Sequence, residues 1–203
     1  MFDFNKIYWF YDFLARMVYG NTLEKAKHSL IFTIQPNTRV LIVGGGTGAT
    51  LEYLNTHCTG IHVDYVEPSS GMLKKATKRS INDLEISFYN LPIEQFSGLG
   101  YDAVITEFFF DMFEEPQLEN NLRHIKKMLH KDGIWLDTDF RKTSNRFHKL
   151  LTKMMIVFFR ATVGMKMKHL LETLPVFSRN GLKLKEEVSF KNGFVTSRLL
   201  YFA

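Results

Sequence analysis

Residues 40–48 read Val-Leu-Ile-Val-Gly-Gly-Gly-Thr-Gly, an apolar β-type run that stops at three glycines and turns helical from Thr47. A strand that turns through glycines into a helix leaves room beside its backbone for a ligand. The helix N-terminus adds unpaired N–H groups and a partial positive charge. Gly44, Gly45, Gly46 and Gly48 suit such a turn because a Cβ would block it or the approaching ligand. Gly44, Gly46 and Ala49 also meet the G-x-G-x-x-A spacing of dinucleotide binders. Glu67 follows about 20 residues later, placed to accept hydrogen bonds from a ribose diol. Glu107, Asp111 and Asp139 are the acids that could serve as a general base. On the glycines alone, a nucleotide-type ligand and a purely structural turn both stay open.

The elements that must position these residues follow from periodicity. Residues 3–19 and 22–34 read as two amphipathic helices split at Gly20-Asn21, with Asn21 or Thr22 as N-cap. Strands are predicted at 40–43, 61–66, 84–89, 101–106 and 134–137. Helices are predicted at 69–79, capped by Ser69, and at 116–130, with Leu118, Leu122, Ile125 and Leu129 on one face and Lys131-Asp132-Gly133 as the stop. This alternation implies a doubly wound, mostly parallel α/β sheet with helices on both faces. Ligands in such sheets sit at the carboxyl ends of the strands. That rule singles out the glycines, Glu67, Asn90-Leu91-Pro92, Glu107-Phe108 and residues 137–141.

The tail differs. Phe147, Leu150, Leu151, Met154, Met155, Phe158 and Phe159 recur at helical spacing, and 168–178 is a second helical stretch broken at Pro175. Two β runs, 182–190 and 194–202, flank Lys191-Asn192-Gly193, a strong hairpin signal. The chain reads as a single domain, 1–203, with 1–36 as an N-terminal helical cap and 143–180 as a helical insertion or lid.

Composition removes several function classes. One cysteine, Cys58, excludes an internal disulfide and a multi-cysteine zinc site, and fits a cytoplasmic setting. The N-terminus lacks a signal-peptide pattern, and no stretch of ~18 uncharged apolar residues could span a membrane. The net charge of +5 is mild and mixed with acids along the helices at 72–79 and 118–131, so no nucleic-acid partner is expected. The seven histidines do not pair at ligand spacing, and Asp137 with Asp139 makes a poor magnesium cage, so no metal is expected.

These motifs together resemble the class I S-adenosylmethionine (SAM) dependent methyltransferases of the small-molecule type. The resemblance covers roughly residues 8–140 by motif and the whole chain by element order. Residues 40–48 resemble the family's first motif, V-L-D-V-G-x-G-T-G. Val63-Asp64-Tyr65-Val66-Glu67-Pro68-Ser69, followed by Met72-Leu73, resembles its second. Residues 122–133 resemble the segment before strand five, and Tyr11-Asp12-Phe13-Leu14-Ala15 resembles a stretch ahead of the first motif. The implied fold is a seven-stranded Rossmann-like sheet ending in an antiparallel hairpin, and the implied cofactor is SAM.

The resemblance also implies roles. N–H groups from Gly44 to Gly48, Thr47 included, would hold the methionine carboxylate. Glu67, followed by Pro68 and Ser69, would take the ribose hydroxyls, and Met72 would pack under the adenosine. Asn90, Leu91 and Pro92 would border the adenine, Glu107 would face the methionine amine, Phe108 and Tyr11 would join the cofactor site, and a tyrosine among Tyr8, Tyr11 and Tyr19 would reach the methyl or the carboxylate. One departure stands out: Ile42 occupies the place of the first motif's acid. Two alternatives follow, a non-catalytic SAM-binding regulatory module and an aminopropyltransferase of the spermidine synthase type. The latter shares the Leu-Ile-Val-Gly-Gly-Gly wording, but its aspartate-rich motif is replaced here by Thr106-Glu107-Phe108-Phe109-Phe110-Asp111. The Pro-Ser-Ser-Gly-Met-Leu run after Glu67 fits SAM better than NAD.

Phe108, Phe109, Phe110 and Phe113, with the Phe- and Met-rich tail, predict an apolar, adaptable pocket. A small apolar or amphipathic acceptor follows, methylated at oxygen or carbon in preference to nitrogen, because no acidic cluster stands ready for an amine cation. The helix carrying Lys149, Lys153 and Arg160 also suits peripheral membrane contact.

Overall fold

A strand flanked by parallel neighbours and covered on both faces must be apolar throughout. Strand β1, Arg39–Val43, is buried from Val40 onward. The computed structural model describes residues 20–163 and 167–202; the predicted first helix, 3–19, with Tyr11, lies outside them. Strands β2 (His62–Val66), β3 (Glu85–Tyr89), β4 (Tyr101–Glu107) and β5 (Leu129–Phe140) run parallel to β1. Strands β6 (Leu182–Phe190) and β7 (Val195–Phe202) form the antiparallel hairpin, with β7 against β5. The seven-stranded order is β3-β2-β1-β4-β5-β7-β6.

The described helices are α1 (Thr22–His28), α2 (Ala49–His57), α3 (Ser70–Ala76), α4 (Glu115–Lys126), α5 (Arg146–Val163) and α6 (Thr173–Arg179). Strand alternation divides the core between the two faces. Leu41 and Val43 join Leu118, Leu122, Ile125, Trp135 and Phe177 on one side. Val40 and Ile42 join Leu51, Leu54, Tyr65 and Ile105 on the other. A third cluster joins α5 to Phe108, Phe140 and Phe194. Among the described residues no helix is long and apolar enough to cross a membrane.

Four boundaries differ from the sequence pattern for physical reasons. Helix α1 stops at His28, and Ile31–Thr33 is a separate 3-10 turn. The Ser29 and Thr33 hydroxyls donate to the Ala26 and Leu30 carbonyls, three residues back, at 2.8 and 2.7 Å. Helix α4 ends at Lys126 because the Met128 carbonyl accepts from the N–H groups of Gly100 and Tyr101 at 2.9 and 3.0 Å. Leu129 thereby enters β5 opposite Tyr101. Lys131-Asp132-Gly133 then falls in a register shift within β5 instead of ending a helix. Pro175 lies in the first turn of α6, where its missing N–H would have no intrahelical partner, so it does not break that helix. The hairpin turn holds Lys191, Asn192 and Gly193 at positive φ, 49°, 52° and 80°.

Candidate active site

The turn after β1 uses its glycines for two purposes. Gly44, Gly46 and Gly48 have φ of 66°, 62° and 79°. An added Cβ at Gly44 would meet Phe109 Cδ2 at 2.8 Å, and one at Gly48 would meet Ala76 Cβ at 2.8 Å. At Gly45 it would overlap the Tyr65 ring. At Gly46 the nearest atom would be Met72 Sδ, 3.9 Å away, so that position opens onto free space. Three of these glycines therefore permit packing, and the fourth faces a cavity.

Tyr65 lies beneath this turn, and the sequence pattern did not single it out. It is fully buried, and its hydroxyl donates to the Gly46 carbonyl at 3.0 Å. Burial, reinforced by the charges of Glu67 and Glu107, pushes its pKa well up, so it stays a donor. Ile42 pairs with Tyr65 and Ile105 and is wholly buried. The turn is thus held by a phenol from β2, with an apolar side chain in β1 where the first motif has an acid.

Glu67 is 4% exposed. Its two oxygens accept from Gly46 N at 3.0 Å and Ser69 N at 2.8 Å. Burial pushes its pKa up, and the Ser69 and Gly46 N–H bonds pull it back down. Asn90 supports this loop from behind, its amide donating to the carbonyls of Glu67 and Pro68 at 2.9 and 3.1 Å. The Ser69 hydroxyl accepts from Met72 N and caps α3.

Glu107 ends β4 and is 5% exposed. Thr50 Oγ1 lies 2.7 Å from both of its oxygens, and Lys27 Nζ lies 3.0 Å away. Lys27 Nζ also sits 5.6 Å from the centre of the Phe108 ring. Phe108 has a positive φ of 51°, held by its N–H donating to the Thr138 carbonyl at 2.7 Å. A bulky residue held in the left-handed region costs about 1–3 kcal/mol and marks a constrained site. Next to Lys27, His28 stacks on Tyr53 at 4.0 Å, and burial lowers its pKa.

These groups enclose a cavity of about 900 Å³. Gly44, Gly45, Gly46, Thr47, Glu67, Pro68, Met72 and Pro92 line it, together with Glu107, Phe108, Phe109, Met112 and Phe113. Lys27, His28 and Tyr53 contribute from α1 and α2. Gly48, Ser69, Asn90 and Leu91 lie outside the lining: Gly48 begins α2, Ser69 caps α3, Asn90 braces the loop, and Leu91 packs against the core.

Asp111 and Asp139 do not line the cavity. With Asp137 they form a cluster packed against the buried Arg198. Asp139 accepts from Asp111 N at 3.0 Å and Phe140 N at 2.7 Å, and Asp137 lies 3.5 Å from Arg198 Nη1. Burial pushes Asp111 up to about 7, Asp137 up to about 6 and Asp139 well above the usual carboxylate range. Of the three candidate bases, only Glu107 reaches the cavity. Among the described residues no group of three or more His, Cys, Asp or Glu could hold a metal ion.

The cluster has a pH consequence. Between pH 3.8 and about 7 the folded chain binds a proton at Asp111 that the unfolded chain has released. Stability from this group therefore falls as pH rises through that window. Asp111→Asn is expected to stabilise the protein at pH 8 by on the order of 2–4 kcal/mol and to have little effect near pH 4. Thermal melts of both proteins across this range check it; an equal gap at both ends would contradict it.

Lys27, Thr50 and Tyr65 belong to the site but escape sequence reasoning. Only Tyr65 carried a signal, its place two residues before Glu67. Lys27 sits in a helix of mixed charge, and nothing in that pattern points across the fold to Glu107.

Residues 41–135 match a family model described as a methyltransferase domain. A curated relative, a highly reducing polyketide synthase from Penicillium soppii, is 26% identical over 136 residues. That match covers 61% of this chain, which spans only 5% of the synthase. Among solved structures, a chain of the Haloferax volcanii complex between a methyltransferase and its activator has a TM-score of 0.75 at 14% identity, covering 100% of this chain and 98% of that one. The mitomycin 7-O-methyltransferase has a TM-score of 0.70 at 15% identity, covering 99% of this chain and 61% of that one. A mycolic acid cyclopropane synthase solved with SAH has a TM-score of 0.67 at 15% identity, covering 86% and 82%. At these identities the structural likeness is one of fold.

Proposed function

We propose that this chain, whose residues 41–135 match a methyltransferase-domain model, is a class I SAM-dependent methyltransferase that moves the methyl group to a small apolar or amphipathic acceptor inside the cavity beside the glycine turn. The observation that carries this reading is the change in the cavity wall. Backbone and carboxylate groups at Gly44–Thr47 and Glu67 give way to Phe108, Phe109, Met112 and Phe113. A polar cofactor and an apolar acceptor need that pairing.

The residues present fit SAM. The open Cβ position at Gly46 and the adjacent Glu67 carboxylate form a cradle for a nucleoside. Glu67 would take the ribose hydroxyls, and Met72, Pro68 and Pro92 would flank the adenine. Lys27 and Glu107, side by side, present a cation and an anion that match the zwitterionic end of the cofactor. Bound there, SAM supplies an electrophilic sulfonium methyl group. The chain's share of the work is then to hold the acceptor in line and keep water out, and such positioning contributes several kcal/mol.

Glu107 is read as an anchor for the methionine ammonium and not as the base, because Thr50 and Lys27 already engage its oxygens and hold the carboxylate in place. Glu107→Gln is expected to weaken SAM binding about 10- to 100-fold, the loss of one charged hydrogen bond. The acceptor KM should stay near that of the wild type. A comparable rise in acceptor KM would place Glu107 against the acceptor instead. Residues 143–180 are read as the wall of the acceptor end, since Leu151, Met155 and Phe158 pack in one cluster with Phe108 and Met72.

The function is tested by incubating the protein and methyl-tritiated SAM with phenols, quinones, fatty acids, amines, peptides and RNA. Label in organic-soluble products, at oxygen or carbon, is the expected result. Label confined to peptide or RNA would overturn the acceptor reading.

A further inference from the structure

We propose that the outer face of α5 docks this protein on an anionic lipid surface. Residues 141–171 hold eight lysines and arginines and no acid, so the rest of a chain of net charge +5 is net negative. All of the excess positive charge therefore lies in one segment. The inner side of α5 packs against the third core cluster. Its other side exposes Phe147 (66%), Leu150 (56%), Met154 (60%) and Val157 (58%). Spacings of three and four residues place these four in a single stripe.

Beside the stripe runs a groove of about 460 Å³, with Lys149, Lys153 and Arg160 from α5 and Lys142 and Lys168 from the flanking segments. Among the described residues no ion pair reaches any of these five cations. Helix α4 shows the contrast: Arg123 pairs with Glu119 within the helix, and Glu115 pairs with Arg179. An exposed apolar stripe bordered by unpaired cations has few stable surroundings. A nucleic acid would meet the cations and leave the stripe wet. A second copy of the chain would cover the stripe but set like charges against each other. An anionic bilayer surface satisfies both, because the apolar side chains enter the acyl boundary while the lysines reach the headgroups.

Docking of this kind would also place the wall of the acceptor end toward the membrane. That last step rests on the acceptor reading, whereas the docking does not.

The test is sedimentation with vesicles of phosphatidylcholine alone and of phosphatidylcholine with phosphatidylglycerol in a two-to-one ratio. Binding to the mixed vesicles, little to the neutral ones, and release at high salt are expected. The double variant Lys149→Gln, Lys153→Gln should weaken binding by about five-fold per lysine, about twenty-five-fold together. Met154→Glu, or Leu150→Gln if the former folds poorly, should abolish it. Equal binding to both vesicles, no binding to either, or full binding by the folded Met154→Glu variant would overturn the proposal. A concentration-dependent dimer that Met154→Glu disperses would assign the stripe to a second copy and overturn it too. None of these readouts uses methylation, so failure here is separable from failure of the acceptor reading.

Discussion

Glu67→Ala is expected to weaken SAM binding by about 2–4 kcal/mol, or about 30- to 1,000-fold, in a protein that stays folded. Two losses combine. The ribose diol loses a charge-assisted acceptor, and the N–H groups of Gly46 and Ser69 lose the carboxylate that holds them. The fold should survive because Glu67 borders the cavity, where water can replace it. Glu67→Gln should lie between, since its amide oxygen can accept from only one of the two N–H groups. Calorimetry with SAM beside a thermal melt checks both variants. Unchanged affinity with an intact fold would remove Glu67 from the site.

The second large effect separates two neighbouring glycines. Gly45→Ala is expected to destabilise the protein by about 3 kcal/mol, lowering Tm by about 6–12 °C. Its Cβ would overlap the ring of Tyr65, which is fully buried and has nowhere to go. Displacing that ring also breaks the hydroxyl's bond to the Gly46 carbonyl. Gly46→Ala meets no protein atom closer than 3.9 Å and bears chiefly the strain of its φ of 62°. Its Tm should fall by a few degrees at most, at about 1 kcal/mol of strain, while SAM binding should be lost, because the new methyl group occupies the space the ligand needs. Thermal melts and SAM titrations of both variants provide the check. Equal destabilisation, or full SAM binding by Gly46→Ala, would contradict this division.

Much of the frame was legible because it rests on local patterns. The glycine turn, the acid after β2, the Ser69 cap and the Asn-Gly hairpin each lie within a few residues of the feature they create. The register of β5 was not legible, because Leu129 is buried equally well as the last turn of a helix or the first residue of a strand. The backbone bonds from Gly100 and Tyr101 decide it, and these come from a distant segment. The cavity was half legible. Glu67 stood out in its motif, but Lys27 and Glu107 meet only because α1 folds over the end of β4. Asp111 and Asp139 shared the sequence credentials of Glu107 as acids near strand ends. Their placement in a buried cluster with Arg198 depends on packing that residue type does not encode. The exposed stripe of α5 was equally hidden, since a Phe- and Met-rich helix pattern does not say which of its faces meets the core.

The most direct measurement is a calorimetric titration of the wild-type chain with SAM and with S-adenosylhomocysteine, repeated on folded Gly46→Ala. One saturable site for both ligands in the wild type, absent from the variant, is the expected result. No heat and no thermal shift with either ligand in the wild type would contradict the assignment of this cavity as the SAM site.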